Sequence, residues 1–180
     1  MNTNLIIAAI AGLVLLVGGT YLYTQRTDAP GQEHGEAAPQ ENPNEMDIQV
    51  ALLDTTGKGP GKKRGCDAVN MVTRTIPRTD APLTAAMQQL FAEPEGAQPS
   101  EEYSFIARTR ETLQFDHATV ADGVASIYLT GKLSGLAGIC DDPRAEIQIE
   151  ETALQFPTVT SVKIFLDDKE TKLTPARQGS

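Results

Sequence analysis

Few residues of this 180-residue chain could do chemistry, and they are scattered. Cys66 and Cys140 stand far apart, in the contexts GC and GIC. A metal site needs about four ligands, and no histidine or further cysteine accompanies the pair, so none is expected. In a reducing compartment the two read as buried thiols. In an oxidising one they read as a disulfide whose loop of about 75 residues would contribute roughly 4 kcal/mol in the chain-entropy model. His117 follows Asp116 but has no assignable serine partner, so it reads as a surface or cross-strand polar residue rather than a general base. The acidic pairs Asp141-Asp142 and Glu150-Glu151 read as a helix cap and a solvated helix face. The run GKGPGKKR lacks the GxxxxGK[ST] order of a phosphate cradle. No catalytic residue, metal or cofactor is therefore expected, and the chain reads as no enzyme.

What must position these residues begins with an uncharged apolar run from Leu5 to Tyr23. About 19 residues at about 1.5 Å each reach about 28 Å, close to a bilayer's roughly 30 Å of hydrocarbon. The expectation is a single transmembrane anchor over residues 1–26. A cleaved signal is the alternative, but Tyr21, Leu22 and Tyr23 carry the apolar pattern past the small residues Gly18 and Gly19. Arg26 beyond the run weakly opposes an N-inside arrangement, and a disulfide would favour an outward-facing domain, giving a single-pass cell-membrane protein with its C-terminal part extracytoplasmic. Residues 27–45, which include Pro30, His34, Pro39 and Pro43, hold nothing to build a core from and read as a disordered Pro/Gly/Glu-rich linker.

The span 46–172 is the size of one domain, and residues 173–180 read as a disordered tail. With no Trp and 5% aromatics its core must be aliphatic, and a formal net charge of −9 argues against nucleic acid as a partner. Period-two patterning predicts strands over Asp47–Asp54, Asp67–Ile76, Thr112–Val120, Val124–Thr130 and Thr158–Leu166. Asp122-Gly123 makes the third and fourth a hairpin. One helix is predicted after Asp80 as N-cap, with Pro82 in its first turn, an apolar stripe of Leu83, Ala86, Met87, Leu90 and Phe91, and Pro94 as its stop. A second starts after Cys140, with Asp141 or Asp142 as cap, a face of Ala145, Ile149, Thr152, Ala153 and Phe156, and Pro157 as stop. Between them Tyr103 to Ile106 reads as an apolar patch packed under the sheet.

The order of these segments resembles the GerMN domain, the sporulation and spore germination family, over Gln49 to Lys169. The residues that carry it are VALLD, APLTAAMQQLFAEP, the hairpin TLQFDHATVADGVASIYLTG and EETALQFPTVTSVKIFLDDK. The resemblance implies an α+β domain with one small mixed or antiparallel sheet of about four strands and two helices on one face. It also implies a place outside the cytoplasmic membrane, in assemblies like the ring-building modules of bacterial envelopes. The family's spore role is not carried over, because one such domain stands here where the spore protein resembles a tandem pair.

The expected function is thus a membrane-anchored, extracytoplasmic interaction or structural domain that binds envelope proteins or copies of itself. A binding module for cell-wall glycan or a small ligand is the alternative, against which the scarcity of aromatics counts. A hydrolase using Asp116 or His117 is a distant third. Lys58, Lys62, Lys63 and Arg64 form a candidate interaction patch for anionic lipid, wall polymer or an acidic partner, or else a solvated hairpin connection.

Overall fold

A computed structural model describes residues 42–173; the expected anchor, most of the linker with His34, and residues 174–180 lie outside them. The described strands fall into two sheets. The first has the order β1-β3-β2, from β1 (Glu45–Asp54), β2 (Lys62–Arg64) and β3 (Asp67–Pro77). The second has the order β4-β5-β6-β7, from β4 (Leu113–Ala121), β5 (Val124–Gly131), β6 (Ser161–Leu166) and β7 (Lys169–Glu170). The fold class is therefore α+β as expected, but a single sheet of about four strands is corrected to two sheets. The physical reason lies at β1, whose outer edge is closed by side chains and a bridge rather than by a strand of the other sheet.

The helices are α1 (Pro82–Ala92), α2 (Phe105–Thr109) and α3 (Arg144–Leu154). Both long helices touch both sheets, α1 through β1 and β4 and α3 through β1 and β6, so they do not simply cover one face. One apolar core joins Val50, Leu52 and Leu53 to Met87, Leu90, Ile106, Ile127, Leu129, Ile149 and Ile164. The predicted stripe of α1 is the buried one, with Leu83, Ala86, Met87 and Leu90 inside. Leu173, assigned to the tail, is buried at 5% exposure.

Both expected caps are corrected. The N-cap of α1 is Ala81, so Asp80 stands one residue too early to reach the first free N–H groups. The N-cap of α3 is Pro143, and Asp141 instead accepts from the Arg144 guanidinium at 2.6 Å and from the Ala137 N–H at 2.8 Å. The turn signals hold. Asp122 and Gly123 both take positive φ, 50° and 80°, and Asp167 and Asp168 do the same between β6 and β7. Two positive φ values match the right-handed twist of a two-residue hairpin.

At the end of α1, Glu93 is almost fully buried and accepts both arms of the Arg74 guanidinium from β3, each at 2.9 Å, with Gln89 donating as well. Burial pushes its pKa up, but the hydrogen bonds from Arg74 and Gln89 outweigh burial and hold it below the ordinary 4.5. A depressed folded-state pKa adds stability above the unfolded-state value and loses it as pH falls through the folded one. Glu93→Gln should therefore be less stable than wild type at pH 7, with the gap closing below about pH 4. Urea unfolding across that range checks this.

Candidate functional site

The basic loop is ordered by one carboxylate. Asp54, wholly buried at the end of β1, accepts from the Thr56 hydroxyl, the Thr56 N–H and the Gly59 N–H. The Thr56 hydroxyl foremost, with those amides, holds its pKa below the ordinary value. Within the loop Arg64 reaches Glu150 at 2.8 Å and also Glu151, and Lys62 reaches Glu151 at 3.3 Å. The structure thus brings together two features that the sequence left apart, the basic run and an acidic pair. Lys62 stays exposed despite that contact, and Lys58 and Lys63 are exposed too. Reversing the charges of Lys58 and Lys63 should leave stability within about 0.5 kcal/mol, while Arg64→Ala should cost about 1 kcal/mol, both measurable by urea unfolding.

Cys66 and Cys140 are joined, with Cα atoms 5.5 Å apart. The residues that follow them are locked as well. Arg144 donates to Asp67 at 2.7 and 3.0 Å and to Asp141 at 2.6 Å, all three groups being buried. The Asp67 carboxylate, with Asp141 beyond it, holds the Arg144 pKa above its ordinary value. Arg144 also lies 5.6 Å from the centre of the Tyr103 ring. Disulfide and ion cluster together fasten the β2–β3 turn to the start of α3.

His117 sits on the solvent face of the second sheet. The strand register shifts between Phe115 and His117, leaving Asp116 in a bulge beside the histidine, whose Nδ1 is 2.9 Å from the Asp116 carboxylate. The bulge also resets the alternation, so that Phe115 packs toward the core while His117 turns outward. There His117 stacks on Tyr128 at 4.2 Å, and Tyr128 stacks on Phe165 at 4.7 Å, one ring from each of β4, β5 and β6. Both faces of Tyr128 are covered, and His117 and Phe165 each give one face to it. A sugar stacks on an open ring face, so this ladder is poorly suited to be a glycan platform.

The sheet edges differ most. On β1 the backbone groups of Gln49, Ala51 and Leu53 point away from β3, and each is satisfied. The Gln155 side chain takes both groups of Gln49, at 2.7 and 2.5 Å. Ala51 donates to the Thr152 hydroxyl at 2.9 Å and accepts from Gln148 at 2.8 Å. Leu53 exchanges both bonds with Tyr103, at 2.8 and 2.9 Å. Helix α3 and its C-cap thus present Gln148, Thr152 and Gln155 at helical spacing as a substitute for a strand. Gln148 also accepts from the Phe105 and Ile106 N–H groups, fixing the start of α2.

Among the described residues the far edge of β3 has no such closure. Short β2 pairs only with Asp67, Ala68 and Val69. The pairing stops where Gly61 presses against β3, since a Cβ there would come within 2.4 Å of the Val69 carbonyl. Beyond it runs an open groove of about 540 Å³ along Val69 to Thr73, with Pro60 and Gly61 at one end and the exposed Glu101 and Glu102 on its rim. Sequence reasoning missed this site, because an open edge follows from the length of the neighbouring strand.

Against known proteins, the model of the family described as Germane, sporulation and spore germination, matches residues 42–172. No curated protein sequence matches. Among solved structures the chain is similar to the first GerMN domain of the sporulation protein GerM from Bacillus subtilis, at 14% identity and TM-score 0.50, covering 73% of this chain and 90% of that one. It is also similar to the tandem GerMN domains of the same protein, at 16% identity and TM-score 0.48, covering 74% of this chain and 43% of that one.

Proposed function

We propose a function for a chain that belongs to the Germane family of sporulation and spore germination domains: it is a non-enzymatic interaction domain of the bacterial envelope. In this reading Leu5–Tyr23 anchors it in the membrane, residues 27–45 tether it, and the folded part binds an envelope protein or a further copy outside the cytoplasm. The observation that carries the reading is the contrast between the two edges of the first sheet. Every outward backbone group of β1 from Gln49 to Leu53 is satisfied internally, while among the described residues β3 is left open over most of its length. An unpaired edge is a template for another chain. Support for the outward side comes from the Cys66–Cys140 bond, which suits an oxidising compartment. Lys58 and Lys63 remain as secondary contact candidates.

In vivo crosslinking and recovery of the full-length protein, with mass spectrometry that also reads the state of the two cysteines, tests this. Specific envelope proteins recovered with the disulfide formed are the expected result. Recovery of no protein, with the chain instead sedimenting on isolated cell wall, would favour the glycan-binding alternative. Two free thiols would contradict the outward orientation.

A further inference from the structure

The direction of every backbone group along β3 follows from its neighbours. Because Gln49, Ala51 and Leu53 bond outward, it is Ile48, Val50 and Leu52 that bond toward β3. Their register partners are Arg74, Val72 and Asn70. The alternate residues Met71, Thr73 and Thr75 must therefore aim their N–H and C=O groups at the open edge, in line with Asp67 and Val69, which face β2. Among the described residues no strand meets these three. The Thr73 carbonyl instead accepts from the Arg74 guanidinium at 3.1 Å, a side-chain contact that an incoming strand can displace.

We propose that this edge takes an extended peptide segment carrying basic side chains, which pairs with Met71, Thr73 and Thr75 as an added strand. The proposal rests on the interaction reading above and names the partner's chemistry. Strand addition supplies main-chain hydrogen bonds at about 6.8 Å intervals, and the flanking surface selects the side chains. That surface is acidic. Glu101 and Glu102 are exposed on the rim with Glu93 behind them, against Arg74, which is held by Glu93 at 2.9 Å and comes within 3.9 Å of Glu102, and an exposed Lys62 paired with Glu151. The same charge disfavours a second copy, because pairing β3 with its own equivalent would bring two acidic rims together.

The test uses the full-length protein in detergent and two synthetic probes, a seven-residue peptide alternating lysine with valine and its glutamate–valine counterpart. Amide hydrogen exchange should slow at Met71, Thr73 and Thr75 with the lysine peptide, which should bind at least about tenfold tighter than the glutamate peptide. Thr73→Pro removes an outward N–H that β1 does not use, so it should fold and weaken the lysine peptide at least about tenfold. Should that variant fail to fold, the double substitution Glu101→Lys and Glu102→Lys, both at exposed positions, should reverse the preference between the two peptides. Equal binding of both probes, protection elsewhere than on β3, or undiminished binding by a folded Thr73→Pro would overturn the proposal. Concentration-dependent protection of the same amides without peptide would overturn it in favour of self-pairing. Any of these results leaves the broader interaction reading to its own crosslinking test, so the two can fail separately.

Discussion

Replacing Gln148 with leucine should lower the unfolding free energy by about 3 to 5 kcal/mol, although the change keeps the size of the side chain and adds apolar surface. Gln148 is 0% exposed, and its amide donates to the Ala51 carbonyl while its oxygen accepts from the Phe105 and Ile106 N–H groups. Leucine would leave all of these buried groups unpartnered, and each such group costs about 1 to 3 kcal/mol. Some water entry reduces the sum. Linear extrapolation from urea unfolding measures it, with Gln148→Glu as a second variant that keeps an acceptor but loses the donor. A loss below about 1 kcal/mol in the leucine variant would mean that β1 finds another way to close its edge.

Arg144→Met should cost a similar amount, about 3 to 5 kcal/mol, with the disulfide intact. The guanidinium stands between Asp67 and Asp141, each under 10% exposed, and methionine would strip Asp67 of this cation and leave Asp141 with Arg108, 3.8 Å away. The loss belongs to a broken pair rather than to the net worth of a buried ion cluster. Replacing all three residues together, Arg144 by methionine and both aspartates by asparagine, should therefore recover part of the stability. If the triple variant were no better than the single one, the cluster would be worth more than its desolvation cost. Double-mutant cycles on urea-unfolding midpoints separate the two cases.

Much of the fold could be read from local signals. The stripe from Leu83 to Leu90, the Asp122-Gly123 turn and the patterning of β1 each state their structure within a short window, and all are present. The two cysteines are conspicuous in the sequence, but their pairing there depends on the compartment, and it is the fold that joins them, with Cα atoms 5.5 Å apart. Long-range choices were hidden. A glutamine in an amphipathic helix looks solvated, and nothing near Gln148 or Thr152 reports that they face a strand edge about 100 positions earlier. Helix α2 has little local signature because its five residues owe their start to Ser104 and to Gln148, the latter distant in sequence. The caps lie away from the expected aspartates because a proline marks a first turn only to within a residue or two. The bulge at Asp116 has no signature of its own.

The candidate site was less legible than the fold for a related reason. Chemistry-bearing residues announced themselves, but the structure spends them internally: Arg64 and Lys62 on Glu150 and Glu151, Arg144 on two aspartates, His117 on Asp116 and Tyr128. The feature that is left over is backbone, and backbone is the same at every position of a sequence. Only the comparison of one sealed edge with one open edge makes it visible.

The proposed function turns on the open edge of β3 as the place where this domain meets its partner. The most direct measurement places a photo-activated crosslinking residue at Thr73 or Thr75 in the full-length protein in its own membrane, with Gln49 on the sealed edge and Leu154 on α3 as controls. Adducts to a defined protein from positions 73 and 75, absent from 49 and 154, are the predicted result. Adducts of equal yield at all positions, or from the controls alone, would contradict it.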